Sequence, residues 1–172
     1  MGPRRWAALT AAVTAILAAS SAPAAPRGIP SLVALDGVGG VRPGMTVAQV
    51  EDRFGVDLRL DDLGTNCKPA SFRSGSVRGY AIFISGRLGS VWYERGARTP
   101  RGITIGSTFA ELRRAYPRVA IRKDHYVPAA RNVFVQRARA PRWRLRFDVS
   151  PQGRVTRIAF GDKTVFLVEG CA

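Results

Sequence analysis

Side chains able to do chemistry are few and scattered in this sequence. There is one histidine, His125, in the run Arg122-Lys123-Asp124-His125-Tyr126. A nucleophilic triad or a zinc site needs a Ser, Cys or second His set beside it, and no motif supplies one. Glu51, Glu94, Glu111 and Glu169 are available for acid–base work, but nothing marks a catalytic pair among them. Asp57, Asp61 and Asp62 lack the ligand spacing of a calcium loop and read as a solvated turn. Trp92 and Trp143 fall at strand positions and read as packing, not as carbohydrate platforms. We therefore expect no catalytic residue, no metal site and no cofactor, and read the chain as a non-enzyme.

Two other groups carry more weight. Cys67 and Cys171 are the only cysteines. An even count in an exported chain predicts a disulfide, here one that closes a long loop. The second group is Arg142-Trp143-Arg144-Leu145-Arg146-Phe147-Asp148-Val149, which alternates strictly. In a strand Trp143, Leu145, Phe147 and Val149 share one face, and the arginines share the other with Asp148. A four-residue loop around Ala140-Pro141 would put Phe134 and Ala138 on the apolar face. It would also set Arg137 and Arg139 beside Arg144 and Arg142. An odd loop would flip the preceding strand and leave only three arginines clustered. The candidate binding set is Arg137, Arg139, Arg142, Arg144 and Arg146, with an acidic partner expected.

What must position these residues is a stretch that occurs twice. Gly40-Val41-Arg42-Pro43-Gly44-Met45-Thr46-Val47-Ala48-Gln49-Val50 is echoed from Gly102 by Gly102-Ile103-Thr104-Ile105-Gly106-Ser107-Thr108-Phe109-Ala110-Glu111-Leu112. Each Thr with its Gln or Glu three residues on is a capping box at a helix start. Val47, Val50 and Phe54 make one apolar helical face, as do Phe109, Leu112 and Tyr116. Gly55 and Pro117 end the two helices. Both copies lack the Lys and the denser glycines of known phosphate loops. Hairpins follow. Gly86 to Tyr93 aligns with Gly153 to Phe160, and a shared break in alternation predicts a bulge at the same place in both. Strands are predicted over Tyr80–Ile84, Leu88–Glu94, Asn132–Arg137, Arg142–Val149 and Thr164–Val168. The fold class expected is α+β: two tandem repeats, each with short helices packed on one face of an antiparallel β-sheet.

Residues 1–24 read as a signal peptide. They hold Arg4-Arg5, an apolar run from Trp6 to Ala19 and the small-x-small site Ala22-Pro23-Ala24. The mature chain is then expected to be secreted and not transmembrane. Residues 25–36 read as a flexible lead-in, 37–98 as the first repeat and 99–172 as the second. Charge divides unevenly. Residues 25–98 hold ten basic and seven acidic side chains, whereas 99–172 hold fifteen and five. The expected halves share a scaffold but not a surface.

The Gly-x-x-x-Gly-(Met/Ser)-Thr-x-x-(Gln/Glu)-(Val/Leu) pattern followed by a meander resembles the β-lactamase inhibitory protein-like superfamily. The small outer-membrane assembly lipoprotein is its single-repeat form. The ending Val168-Glu169-Gly170-Cys171, with Cys67 upstream, is similar to secreted actinobacterial proteins with tandem copies of the unit. The resemblance covers about residues 37–172 and implies a non-catalytic role in binding. Two partner classes follow: an acidic protein held on the exposed sheet face, or an anionic envelope polymer held by the basic second repeat. The polymer could be a wall polymer, lipid headgroups or nucleic acid.

Overall fold

The computed structural model describes Gly2, residues 28–137, residues 140–167 and Cys171, with the backbone alone for Arg137, Ala140 and Pro141. The expected signal peptide apart from Gly2, together with Arg139 and Glu169, lies outside the described residues. In chain order the elements are β1 (Val33–Ala34), β2 (Gly37–Val38), α1 (Val47–Phe54), β3 (Arg59–Leu60), β4 (Cys67–Ser74), β5 (Val77–Ile84) and β6 (Arg87–Arg95). Then come α2 (Phe109–Ala115), β7 (Ala120–Lys123), β8 (Arg131–Arg137), β9 (Ala140–Val149), β10 (Val155–Gly161) and a closing 3-10 helix, Lys163–Phe166. Strands β3 to β10 form one antiparallel sheet in the order β3-β4-β5-β6-β10-β9-β8-β7. The fold is α+β. Its centre is the β6–β10 pair, where Trp92 lies opposite Ala159, flanked by Tyr93 opposite Ile158 and Val91 opposite Phe160.

Both helices start as their local chemistry dictates. The Thr46 side chain accepts from the Gln49 N–H while Gln49 reaches back to the Thr46 N–H, and Thr108 and Glu111 do the same. The bond from the Thr108 backbone, then that from its hydroxyl, holds the Glu111 carboxyl below its ordinary pKa. Gly55 ends α1 in the left-handed region at φ 65°, a conformation glycine adopts without steric cost. The last turn of α2 stops at Tyr116, just before Pro117. Val50, Phe54, Leu112 and Tyr116 join one core with Phe83, Val91, Tyr93, Leu145, Phe147, Ile158 and Phe160. That core lies on the helix side of the sheet.

The expected bulges are present. Gly89 is the unpaired residue between the Ile82–Ser90 and Phe83–Leu88 rungs. Thr156 holds the same place between Val155–Val149 and Arg157–Asp148. Cys67 and Cys171 form a disulfide across a separation of 104 residues. Among the described residues no helix is long and apolar enough to cross a membrane.

Three expectations about the elements and their register differ from the structure. The described part of the lead-in is built into the fold: Val33 is fully buried, its N–H donates to the Arg98 carbonyl, and Tyr93 Oη donates to the Pro30 carbonyl. The segment read as a strand from Thr164 is instead the 3-10 helix. Asp162 caps it by accepting from the Thr164 N–H at 2.8 Å, which turns the chain off the end of β10. Thirdly, β8 has the flipped register. Phe134 lies opposite Arg146 and Gln136 opposite Arg144, before a shift puts Arg137 opposite Ala140. Val133 and Val135 therefore enter the helix-side core, and Phe134 does not. Apolar residues occupy both faces of β8, so pattern alone does not choose the register.

Candidate functional site

The far face of the sheet, away from the helices, carries one row of side chains across five adjacent strands: Tyr80, Trp92, Ala159, Arg146 and Phe134. Trp92 is buried, and its Nε1–H donates to Ser90 Oγ at 2.9 Å. Tyr80 stacks nearly parallel on it with centroids 5.8 Å apart. The Arg146 guanidinium lies 4.8 Å from the Trp92 ring centre. This arginine was expected in a solvated patch, but it is only 4% exposed. Its Nε donates to Asp148 Oδ1 at 2.6 Å, and its Nη1 donates to the carbonyls of Val165 and Leu167. The 3-10 helix makes the difference. It crosses the far face and brings both carbonyl acceptors, so the buried cation has acceptors for Nε and Nη1.

Asp148 also holds Arg157, Nε to Oδ2 at 2.7 Å. Burial works to lower the Arg157 pKa, but Asp148 and Tyr80 together outweigh it and keep it above its ordinary value. Burial raises the Tyr80 phenol, against the lowering effect of Arg157. Two glycines allow close approach: Gly89 lets the 3-10 helix approach β6, and Gly161 lets β10 approach β6. A Cβ at Gly89 would collide with Thr164, and one at Gly161 would collide with Ser90. Val165 and Phe166 can then pack with Ile82, Trp92, Phe134 and Ala159 in a second, smaller core, joined by the half-buried Cys67 and Cys171.

The remaining candidates separate. Arg142 is exposed, while Arg144 is half-buried, donates from Nε to Gln136 Oε1 at 3.1 Å and lies over the Phe166 ring at 4.9 Å. Arg137 sits opposite Ala140, not beside Arg144. Two arginines that the sequence reading did not single out join Arg144 instead. An open cleft of about 500 Å³ between β7, β8, β9 and the 3-10 helix is lined by Arg118, Arg122, Arg144 and Gln136 over Phe134 and Phe166. Among the described residues no acidic side chain lines it. Arg122 lies 4.5 Å from the Phe166 centre and 5.4 Å from that of Phe134. The available sequence signal was slight: Ala120-Ile121-Arg122-Lys123 sets two basic residues after two apolar ones and does not alternate.

A second cleft, of about 330 Å³, opens across the Phe134–Phe166 pair, whose ring centres are 4.7 Å apart. It shares Arg122 and adds Lys123, His125 and the buried Arg146 and Asn132. Its acid, Asp124, already accepts from the N–H groups of Tyr126 and Val127. Asn132 is 8% exposed, and its Oδ1 has no hydrogen-bond partner among the described residues. His125 itself is exposed, edge-on to Tyr126. Glu51 accepts from the Leu58 N–H, and Glu94 pairs with Arg78. Among the described residues no three His, Cys, Asp or Glu side chains gather.

No family model matches this chain, and no curated protein does. The search of solved structures finds likenesses of shape. One is an extracellular protein containing an SCP domain from Bacillus anthracis, at 7% identity and TM-score 0.47, covering 69% of this chain and 43% of that one. A cysteine-rich secretory protein from Staphylococcus aureus gives 13% identity and TM-score 0.47, with 80% and 49% covered. A DUF4309 family protein from Bacillus subtilis gives 14% identity and TM-score 0.48, with 68% and 78% covered. This chain thus spans under half the length of the first two.

Proposed function

We propose that the chain is an exported, non-catalytic binding protein that holds an anionic partner on the far face of its sheet. Under this reading residues 1–24 are removed as a signal peptide. The two halves are two copies of one helix-and-meander unit, as the resemblance to the inhibitory protein-like superfamily implies. The observation that carries the reading is the cleft lined by Arg118, Arg122 and Arg144 without an acidic neighbour. A merely solvated arginine keeps its rotamer freedom. Here Arg122 and Arg144 lie over the Phe166 ring, and although Arg144 Nε is bonded to Gln136, the other guanidinium N–H groups remain to grip an oxyanion. Of the two partner classes, an anionic polymer suits the site better than an acidic protein, because the 3-10 helix covers much of the surface a flat protein interface would need.

The test is capture of envelope material by the purified mature protein over a range of salt. Arg118→Gln/Arg122→Gln/Arg144→Gln should abolish capture at low salt and remove most of the salt dependence. The same charge change at Arg53, Arg59 and Arg73 should have little effect. Equal loss from both variants would reduce the effect to diffuse charge, and full capture by the first would exclude this cleft.

A further inference from the structure

Resting on that reading, we infer that the ligand is a hydroxylated phosphodiester chain, a polyol- or sugar-phosphate polymer, lying across both clefts. Three observations narrow the class. The clefts flank the Phe134–Phe166 pair and share Arg122, so one ligand with successive anionic groups fits better than a single ion. Nucleic acid would stack its bases on aromatic faces, but guanidinium groups already lie over both rings: Arg122 and Arg144 over Phe166, Arg122 and Arg146 over Phe134. A ligand without aromatic rings loses nothing by this. Finally, Asn132 helps line the second cleft, and its buried Oδ1 is an acceptor with no partner among the described residues. An unmet buried acceptor is costly, and a hydroxyl next to a phosphate is a donor that would satisfy it. Phosphate oxygens accept from the arginines while the hydroxyl donates to Asn132. A polymer of carboxylates without hydroxyls, or of bare phosphates, would meet the first requirement and leave the second open.

Fluorescence anisotropy with a labelled glycerol-phosphate oligomer tests this. The comparison ligand is a propanediol-phosphate oligomer of equal length, identical except for the missing hydroxyl. Single-stranded DNA of equal phosphate number is the third probe. The mature protein should bind the glycerol form about tenfold more tightly than the propanediol form, the worth of one well-placed hydrogen bond. Asn132→Val should erase that preference, so that the two oligomers bind the variant equally. Arg122→Gln should weaken both by about tenfold or more, because it removes a charge-assisted contact common to the two clefts. Equal binding of the two oligomers by the wild-type protein would overturn the inference whatever the variants do, and so would DNA binding as tight as the glycerol form. If both oligomers bind through Arg122 without preference, the anion-binding reading survives and the hydroxyl is dropped. Binding that is indifferent to Arg122→Gln defeats both.

Discussion

Counted from the two bulges, the same rungs of the sheet carry different chemistry in its two halves. On β5 and β6, Tyr80 lies opposite Trp92 and Ile82 opposite Ser90. On β9 and β10 the corresponding rungs are Arg146 opposite Ala159 and Asp148 opposite Arg157. One half fills its far face with rings and alkyl groups, and the other with a chain of ion pairs. On the helix side the halves barely differ: Val91 and Tyr93 match Ile158 and Phe160, all fully buried. The contrast teaches which surface specifies the fold. The helix-side core needs apolar volume in both halves, because each helix must bury its one face there. The far face is held by a local clamp, the 3-10 helix and the disulfide, and so tolerates charge.

Removing that clamp should break the comparison most severely. Cys67→Ala/Cys171→Ala, or reduction, should cost about 4–5 kcal/mol in the chain-entropy model for a loop this long. Denaturant unfolding with and without reductant measures it. An unchanged midpoint would show that the 3-10 helix holds its place without the bond.

Next comes the ion-pair chain. Asp148→Ala leaves the 4% exposed Arg146 without its counter-charge and should cost about 3–5 kcal/mol. Arg146→Met/Asp148→Leu, which gives this half an apolar face like the other, should recover most of that loss. Melting curves of the single and double variants decide between a net that stabilises and one that only specifies. The smallest expected effects lie where the halves agree. Thr46→Ala and Thr108→Ala should each cost about 0.5–2 kcal/mol, by similar amounts. A large difference between them would show that the two capping boxes, alike in geometry, are not alike in what depends on them.

The legible parts of the fold are those set by neighbours in sequence. Both capping boxes, the left-handed Gly55 and the two bulges depend on residues within a few positions, and each is found where its spacing put it. The disulfide was legible by a different route, since two cysteines allow one pairing within the chain. What escaped was set by contacts across the sheet. Arg146 is buried only because the chain after Asp162 folds back over it, and no alternation pattern announces that. Phe134 is hidden on the far face by Phe166, and this lets the two valines of β8 take the helix side. The cleft combines Arg118 and Arg122, next to and on β7, with Arg144 of β9, which reach one hollow only once β8 lies between those strands.

The disulfide also decides how the molecule would answer to force. Cys67 opens β4, so the covalent loop it closes with Cys171 contains every strand from β5 to β10 and all of α2. Tension applied between β1 and Cys171 would pass through the sulfur bridge straight to β4 and leave the loop slack. Only the chain before Cys67, α1 included, could be drawn out. All three arginines of the cleft sit inside the unloaded loop, so a molecule tugged from a cell surface would surrender its first helix before its grip.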